Sequence, residues 1–454
     1  MNASDVSKLR ELVRGRVLEP SDAGYEQVRS VFYRGYDRHP AAIVRPRDGA
    51  DVAAAVTLAT ATGAELAVRS GGHSIAGHGA TEGGIVIDMR DMRAFDIDTD
   101  GRTAWAGTGL TAGEYTRAAG AHGLATGFGD TGSVGIGGIT LAGGIGLLVR
   151  KYGLTIDSLL AAEIVTADGR LLRVDGDNHP DLFWAIRGGG GNFGVATRFR
   201  YRLHEVDRVV GGILVLPAAP DVVLGLVALA EEASDDLTTI FNLMKAPPLP
   251  FIPPEYHGEP VVACMMIHAG DLDAGERAAD RVRKVAPPIV DMVKPIRYPE
   301  FFEFGGAPPS VEHEVSHTRF LDEIDKRLVA GLLEQVAWSP ARLASAQLRV
   351  LGGAMARVPE AATAFAHRGR KYLATVGAAY EDGAETSVHE EWIRRVTSLF
   401  TPENPGAYSG FLGTDGAARI HEAYPGRTRD QLVEIKRRYD PDNLFRLNHN
   451  IDAG

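Results

Sequence analysis

The sequence predicts an α+β fold built from two or three packed domains. Three observations carry that expectation. At roughly 100–200 residues per domain, a chain of 454 residues is long enough for more than one hydrophobic core. Strand-length apolar stretches and helical patterns follow one another irregularly rather than in strict βα alternation. Finally, 30 of the 54 glycines fall in the 132 residues from Gly63 to Gly194. There they separate short apolar stretches that read as buried strands instead of marking linkers.

Taken along the chain, the turn Pro46-Arg47-Asp48-Gly49 introduces a helical pattern over Asp51–Ala61, followed by strands at Leu66–Arg69 and Gly84–Met89 and a helix over Thr111–His122. The 18 residues from Gly132 to Val149 carry no charge and precede Arg150 and Lys151, which imitates a membrane span. Their seven glycines and bare minimum length argue instead for a buried turn-and-strand region. Asp168-Gly169, between Leu159–Thr166 and Arg170–Val174, predicts a hairpin with a type I′ turn, positive φ at both central residues. Further on, helical stretches at Asp221–Glu232 and Asp322–Val336 alternate with strands. In the strand Ala346–Leu351, alternation puts Gln347, Arg349 and Leu351 on one face, Leu348 and Val350 on the other.

Composition narrows the function classes. With 59 acidic against 48 basic residues the formal charge is −11, and no basic block appears, so nucleic acid is not an expected partner. The single cysteine, Cys264, excludes an internal disulfide and any cysteine-based metal cluster. The first ten residues mix charges without the apolar stretch of a signal peptide, so a cytoplasmic location away from membranes is expected. Nothing in the sequence speaks to oligomeric state.

Glycine clusters between strands let backbone N–H groups approach a ligand closely, as in pyrophosphate cradles. The usual nucleotide motifs fail all the same. No G-x-x-x-x-G-K-[ST] is present, which excludes a P-loop ATPase. The runs Gly107–Gly113, Gly135–Gly138 and Gly143–Gly146 do not read as opening a helix after a strand with an acidic residue about 20 positions on, as a Rossmann fold needs.

Four ordered segments carry a resemblance: Arg69-Ser-Gly-Gly-His73-Ser; Gly132-Ser-Val-Gly-Ile-Gly-Gly continuing through Gly146 to Asp157; Asp181-Leu-Phe-Trp-Ala-Ile-Arg-Gly-Gly-Gly-Gly-Asn192-Phe-Gly-Val195; and Tyr439-Asp-Pro-Asp-Asn-Leu-Phe-Arg-Leu-Asn448-His-Asn450-Ile. Together they resemble the berberine bridge enzyme-like flavoprotein oxidases of the vanillyl-alcohol oxidase superfamily, nearest the bacterial members in size and ending. The resemblance implies a two-part FAD-binding domain and a substrate domain with an antiparallel sheet covered by helices. The expected boundaries are 1–206 for the FAD-binding domain (its core from about residue 38), 207–429 for the substrate domain and 430–454 for a segment returning to the first.

It also implies roles. His73 would be the covalent anchor of FAD, since an imidazole nitrogen is nucleophilic near neutral pH. Ser70, Gly71, Gly72 and Ser74 would offer donors to the pyrophosphate, and Arg69 before them would also belong to the cofactor site. Thr131, Val134, Gly135, Gly137 and Gly138, then Gly143, Gly144 and Gly146, would form the second cradle. Asp157, Asn192, Val195, Asn448 and Asn450 would complete the FAD site. Many relatives attach FAD a second time through a cysteine; Thr131 occupies that position here and cannot form a thioether, so one bond is expected. Gln347 and Arg349 would line the substrate cavity, with Arg349 favouring an anionic or carbonyl-bearing substrate. Tyr408 would be the catalytic base, although Gly410 replaces the asparagine of the family's Y-x-N-[FY] motif.

Two other chemistries compete. His313-Glu-Val-Ser-His317 matches the zinc signature H-E-x-x-H, which works on a helix, but the surrounding residues read equally well as a strand approaching Phe320-Leu321, after Pro308-Pro309. No G-x-S-x-G elbow is present. The expected activity is oxidation of a small organic molecule (an alcohol, sugar or cyclic amine) by hydride transfer to FAD, with O2 as acceptor. A dehydrogenase using another acceptor and a non-catalytic flavin binder stay open as alternatives.

Overall fold

In the computed structural model, which describes residues 3–303, 310–401 and 405–453, strands Ala42–Arg45, Ile85–Asp88 and Leu66–Arg69 run parallel in that spatial order, with Arg16–Leu18 antiparallel at the edge. Ile85, Val86 and Ile87 are all buried, as parallel strands are when a crossover helix covers a face. That helix, Gly49–Thr62, starts where the Asp48 side chain accepts the N–H groups of Ala50 and Asp51 and stops at Gly63, whose φ is 66°. The buried Asp51 carboxylate accepts N–H groups from Arg14, Gly15 and Arg47, which ties the N-terminal segment to the helix start.

A second sheet is antiparallel, in the order Phe95–Asp98, Thr103–Gly107, Val195–Arg202, Leu159–Val165 and Leu171–Asp175. Tyr115, on the helix Ala112–Gly120, packs edge-on against Phe128 and Tyr201 to centre this core. Thr111 and Glu114 close the helix start reciprocally, so the element falls where its sequence signature puts it.

Two local expectations in this half are corrected. The uncharged stretch 132–149 is not turn and strand: Gly135 caps a helix at Ile136–Ala142, and a further turn follows at Val149–Tyr152. Its glycines act at the helix end, where Gly143 and Gly144 take φ of 126° and 77° and turn the chain. The hairpin at Asp168-Gly169 forms with a different turn. Gly169 has φ 77° while Asp168 stays negative, and Thr166 pairs with Arg170 across a three-residue loop. This is a type I turn followed by a glycine bulge, which needs only one left-handed residue.

From Arg208 the chain builds an eight-stranded antiparallel sheet. Its order is Val290–Asp291, Arg208–Pro217, Pro260–His268, Leu237–Lys245, Leu343–Val350, Tyr372–Tyr380 and His313–Leu321, with Lys294–Arg297 also against Arg208–Pro217. Helices Pro220–Glu232, Leu272–Arg283, Lys326–Trp338 and Thr386–Thr397 supply Leu226, Val282, Leu332 and Trp392 to a core shared with Leu214, Phe241, Leu348 and Val376. The third helix starts at Lys326 rather than Asp322, because Asp325 caps the Leu328 N–H. The motif His313–His317 lies on a strand, so Glu314 faces away from both histidines; Pro308 and Pro309 lie outside the described residues. Among the described residues no His, Cys, Asp and Glu group is placed to hold a metal ion, and no helix is long and apolar enough to cross a membrane.

Ala407, Leu412, Ala423 and Tyr424 already pack with Phe128 and Phe199, so the chain is back against the first core well before residue 430. The helix Arg427–Tyr439 then carries Lys436, fully buried, whose Nζ donates to Asp440 Oδ2 at 2.6 Å and to the carbonyls of Asn192 and Phe445. Removing one member of a buried pair strands the other charge. Lys436→Met should therefore cost about 3–5 kcal/mol of stability, read from the urea midpoint; a loss below about 1 kcal/mol would show that the pair holds nothing together.

Candidate active site

A cavity of about 660 Å³ lies between the glycine-rich loops of the first unit and the face of the eight-stranded sheet that the helices leave uncovered. Its floor depends on two loops touching backbone to backbone. A Cβ on Gly71 would come 2.3 Å from Gly135 N, and one on Gly135 would come 2.2 Å from Gly71 N. Ser70 Oγ locks the junction, donating to Thr108 O at 2.5 Å and accepting from Gly137 N at 3.2 Å.

Gly138 and Gly191 are of another kind. Both line the cavity, and a Cβ on either would meet nothing within 4 Å. The chain's own packing does not demand glycine there, so the open space suits a ligand lying close to the backbone. Asn448 Oδ1, in a residue of the wall, is buried without a partner among the described residues, as a group awaiting a ligand or water would be.

His73 stands in the wall, stacked on Phe32 at 4.2 Å. Burial lowers its pKa to about 4 against an opposing pull from the Ser133 backbone. The imidazole is therefore neutral at pH 7 and keeps a nucleophilic lone pair. Across the cavity, Asn192 binds the C-terminal tail: its Nδ2 donates to His449 O, and to Gly189 O of its own loop, and its Oδ1 accepts from Ile451 N.

The roof carries a continuous polar relay. Gln347 Nε2 donates to Asn242 Oδ1, Arg349 Nε to Gln347 Oε1, and Arg349 Nη2 to Asp130 Oδ2 at 2.7 Å. The Tyr408 hydroxyl accepts the Gly144 N–H at 3.0 Å. Burial pushes Tyr408 up to about 12, while the Gly144 N–H and the Arg349 charge pull the other way.

A model of the FAD binding domain matches residues 40–175, and one of berberine and berberine-like proteins matches residues 407–452. The (R)-6-hydroxynicotine oxidase of Paenarthrobacter nicotinovorans is 31% identical over 97% of each chain. This chain belongs to the berberine bridge enzyme-like FAD-linked oxidoreductases. The crystal structure of 6-hydroxy-D-nicotine oxidase from Arthrobacter nicotinovorans matches this oxidoreductase with a TM-score of 0.86 at 26% identity, over 97% of this chain and 98% of that one. Xylooligosaccharide oxidase from Myceliophthora thermophila C1, in complex with xylobiose, gives a TM-score of 0.86 at 20% identity over 100% of both chains, a likeness of fold alone.

Most of the site residues expected from sequence meet in this cavity: Arg69 through Ser74, Thr131, Val134, Gly135, Gly137, Gly138, Asn192 and Asn448 on the FAD-binding side, Gln347, Arg349 and Tyr408 opposite. Two of these are occupied otherwise than expected. The Arg69 guanidinium is held by Asp88 and by the carbonyls of Val28 and Arg29, so it braces the N-terminal segment and its charge is taken up there. Arg349 is paired with Asp130, so its charge is not on offer to an anion.

Six expected residues do not line the cavity. Gly143, Gly144 and Gly146 form the turn behind it, where Gly144 holds Tyr408. Asp157 is a bidentate partner of Arg368 at 2.7 and 2.8 Å. Val195 packs in the core beside Val165 and the parallel sheet, and Asn450 falls beyond the wall. Gly144 and Asp157 support the site from behind, which residue spacing cannot distinguish from contact. Asp130, Glu314 and Thr375 do line it and went unrecognised. Asp130 directly precedes Thr131, a neighbourhood that could have drawn attention; Glu314 lies inside the His313–His317 motif, whose pattern points to zinc instead, and Thr375 carries no local signal. Cys264 is remote, buried in the second core with its thiol pushed up to about 12 by burial.

The open space at Gly138 yields a clean test. Gly138→Ala should leave folding intact or improve it by about 0.5–1 kcal/mol through helix propensity, yet lower the flavin-to-protein absorbance ratio. Gly135→Ala, by contrast, should lose soluble yield.

Proposed function

We propose that this oxidoreductase holds FAD by one covalent bond from His73 and acts as an oxidase on a small organic substrate, an alcohol, sugar or cyclic amine. The observation that supports this best is a neutral imidazole in the wall of a cavity whose glycines Gly138 and Gly191 stand open, with threonine at position 131 where a second nucleophile would be. When bound, FAD supplies the acceptor for hydride leaving a substrate C–H beside a heteroatom. Dioxygen is the proposed final acceptor, giving hydrogen peroxide. The relative at 31% identity is named as an oxidase.

The chain's own groups orient the substrate and manage its proton. Tyr408 takes the O–H or N–H proton in this reading. Because burial keeps its own proton bound, it must first lose that proton to water before it can accept the substrate's. The Gly144 N–H, already directed at the phenol oxygen, stabilises the anionic form that results. Gln347 and Arg349, fixed by Asn242 and Asp130, hold the opposite wall in one geometry.

Acid-precipitated protein should stay yellow, and His73→Ala should release the colour to the supernatant; a colourless wild-type precipitate would refute the covalent link. Anaerobic bleaching by substrate followed by peroxide on aeration identifies an oxidase, bleaching without peroxide a dehydrogenase, and no bleaching a binder. Tyr408→Phe should keep the flavin and lower kcat by about 10²–10⁴-fold, measured by stopped-flow flavin reduction.

A further inference from the structure

Resting on the reading above, we propose that Glu314, assisted by Tyr33, is the specificity group of this cavity and that it selects a substrate carrying a protonated amine. The argument begins with the charges that face the cavity. Arg349 is paired with Asp130 and Arg69 with Asp88. His73, His78 and His449 are driven neutral by burial, to about 4, 3 and 4. What remains is the Glu314 carboxyl on the strand His313–Leu321, for which, among the described residues, the one partner acting is the Tyr33 hydroxyl.

That carboxyl is placed for a ligand. It sits in the cavity wall beside Gly377, where a Cβ would lie 3.3 Å from Glu314 Oε1, so glycine leaves the volume next to the carboxylate free. Thr375, on the same face of the neighbouring strand, also lines the cavity, and among the described residues its buried hydroxyl has no partner. Burial lifts Glu314 to about 7, the mark of a carboxylate left without the cation that would hold it ionised. Tyr33, whose own ionisation burial opposes, stays a donor and satisfies one oxygen only.

The carboxyl does not suit the cofactor. Tyr33 stands edge-on to Phe32 at 5.1 Å, and Phe32 stacks on His73. A flavin held by His73 through its dimethylbenzene ring would have at that corner a hydrocarbon edge without a hydrogen-bond donor, and the pyrophosphate would be anionic. An ammonium group supplies the donor, pairing with Glu314 in the space that Gly377 leaves beside the carboxylate. The expectation from sequence that Arg349 draws an anion is thereby reversed.

Binding is read without turnover, from the shift in flavin absorbance of the purified holoprotein on adding benzylamine, benzyl alcohol or benzoate. Wild type should bind benzylamine at least about ten-fold more tightly than benzoate. Glu314→Gln should abolish that preference and leave benzyl alcohol within about two-fold; Glu314→Asp, which keeps the charge, should retain part of it and serves if the glutamine variant does not fold. Benzoate binding more tightly, benzylamine failing to bind at millimolar concentration, or an unchanged preference in Glu314→Gln would each overturn the proposal. A protein without flavin refutes the preceding reading, whereas a yellow protein with the wrong preference refutes this one alone.

Discussion

The contact between Gly71 and Gly135 is the constraint on which the site depends. Two loops from different parts of the chain meet with no room for a side chain between them, and Ser70 ties both to Thr108. One loop carries His73; the other leads into the helix Ile136–Ala142 with Gly138 on its open side. Move the loops apart by the width of a methyl group and the imidazole no longer shares a wall with that cradle. The Lys436–Asp440 pair does the corresponding work on the far side, where Lys436 Nζ joins the C-terminal helix to the carbonyls of Asn192 and Phe445.

Charge is handled by cancellation. Asp88 answers Arg69, Asp130 answers Arg349, Asp157 answers Arg368, each within 3.1 Å. Such pairs are retained for geometry more than for stability, and here they hold loops and strands at fixed spacing around an uncharged interior. Against that background one carboxyl without a cation is conspicuous, and an apolar setting amplifies whatever charge it meets.

Much of the fold was legible because its signals are local. Asp48 and Gly63 bound a helix by capping, Thr111 and Glu114 by a reciprocal pair, and Gln347 and Arg349 share a face because strand side chains alternate. The errors arose where local signals are degenerate. Glycines in 132–149 could punctuate a strand or end a helix, and Asp168-Gly169 serves two turn types. For the site, motif spacing found the residues on the wall together with those just behind it, Asp157 and Gly144 among them, because both sets keep the same distance along the chain.

By itself the sequence determined the family, the concentration of glycine at a dinucleotide cradle, and the absence of a thiol at position 131, since each is a matter of residue identity at a position. Only the tertiary structure decided which charges remain available. Arg349 meets Asp130 across 219 residues, Arg368 meets Asp157 across 211, and among the described residues Glu314 meets no cation although His313 and His317 share its strand. Whether a charge is spent or free depends on what folding brings within a few ångströms, and pairing in space leaves no trace in order along the chain.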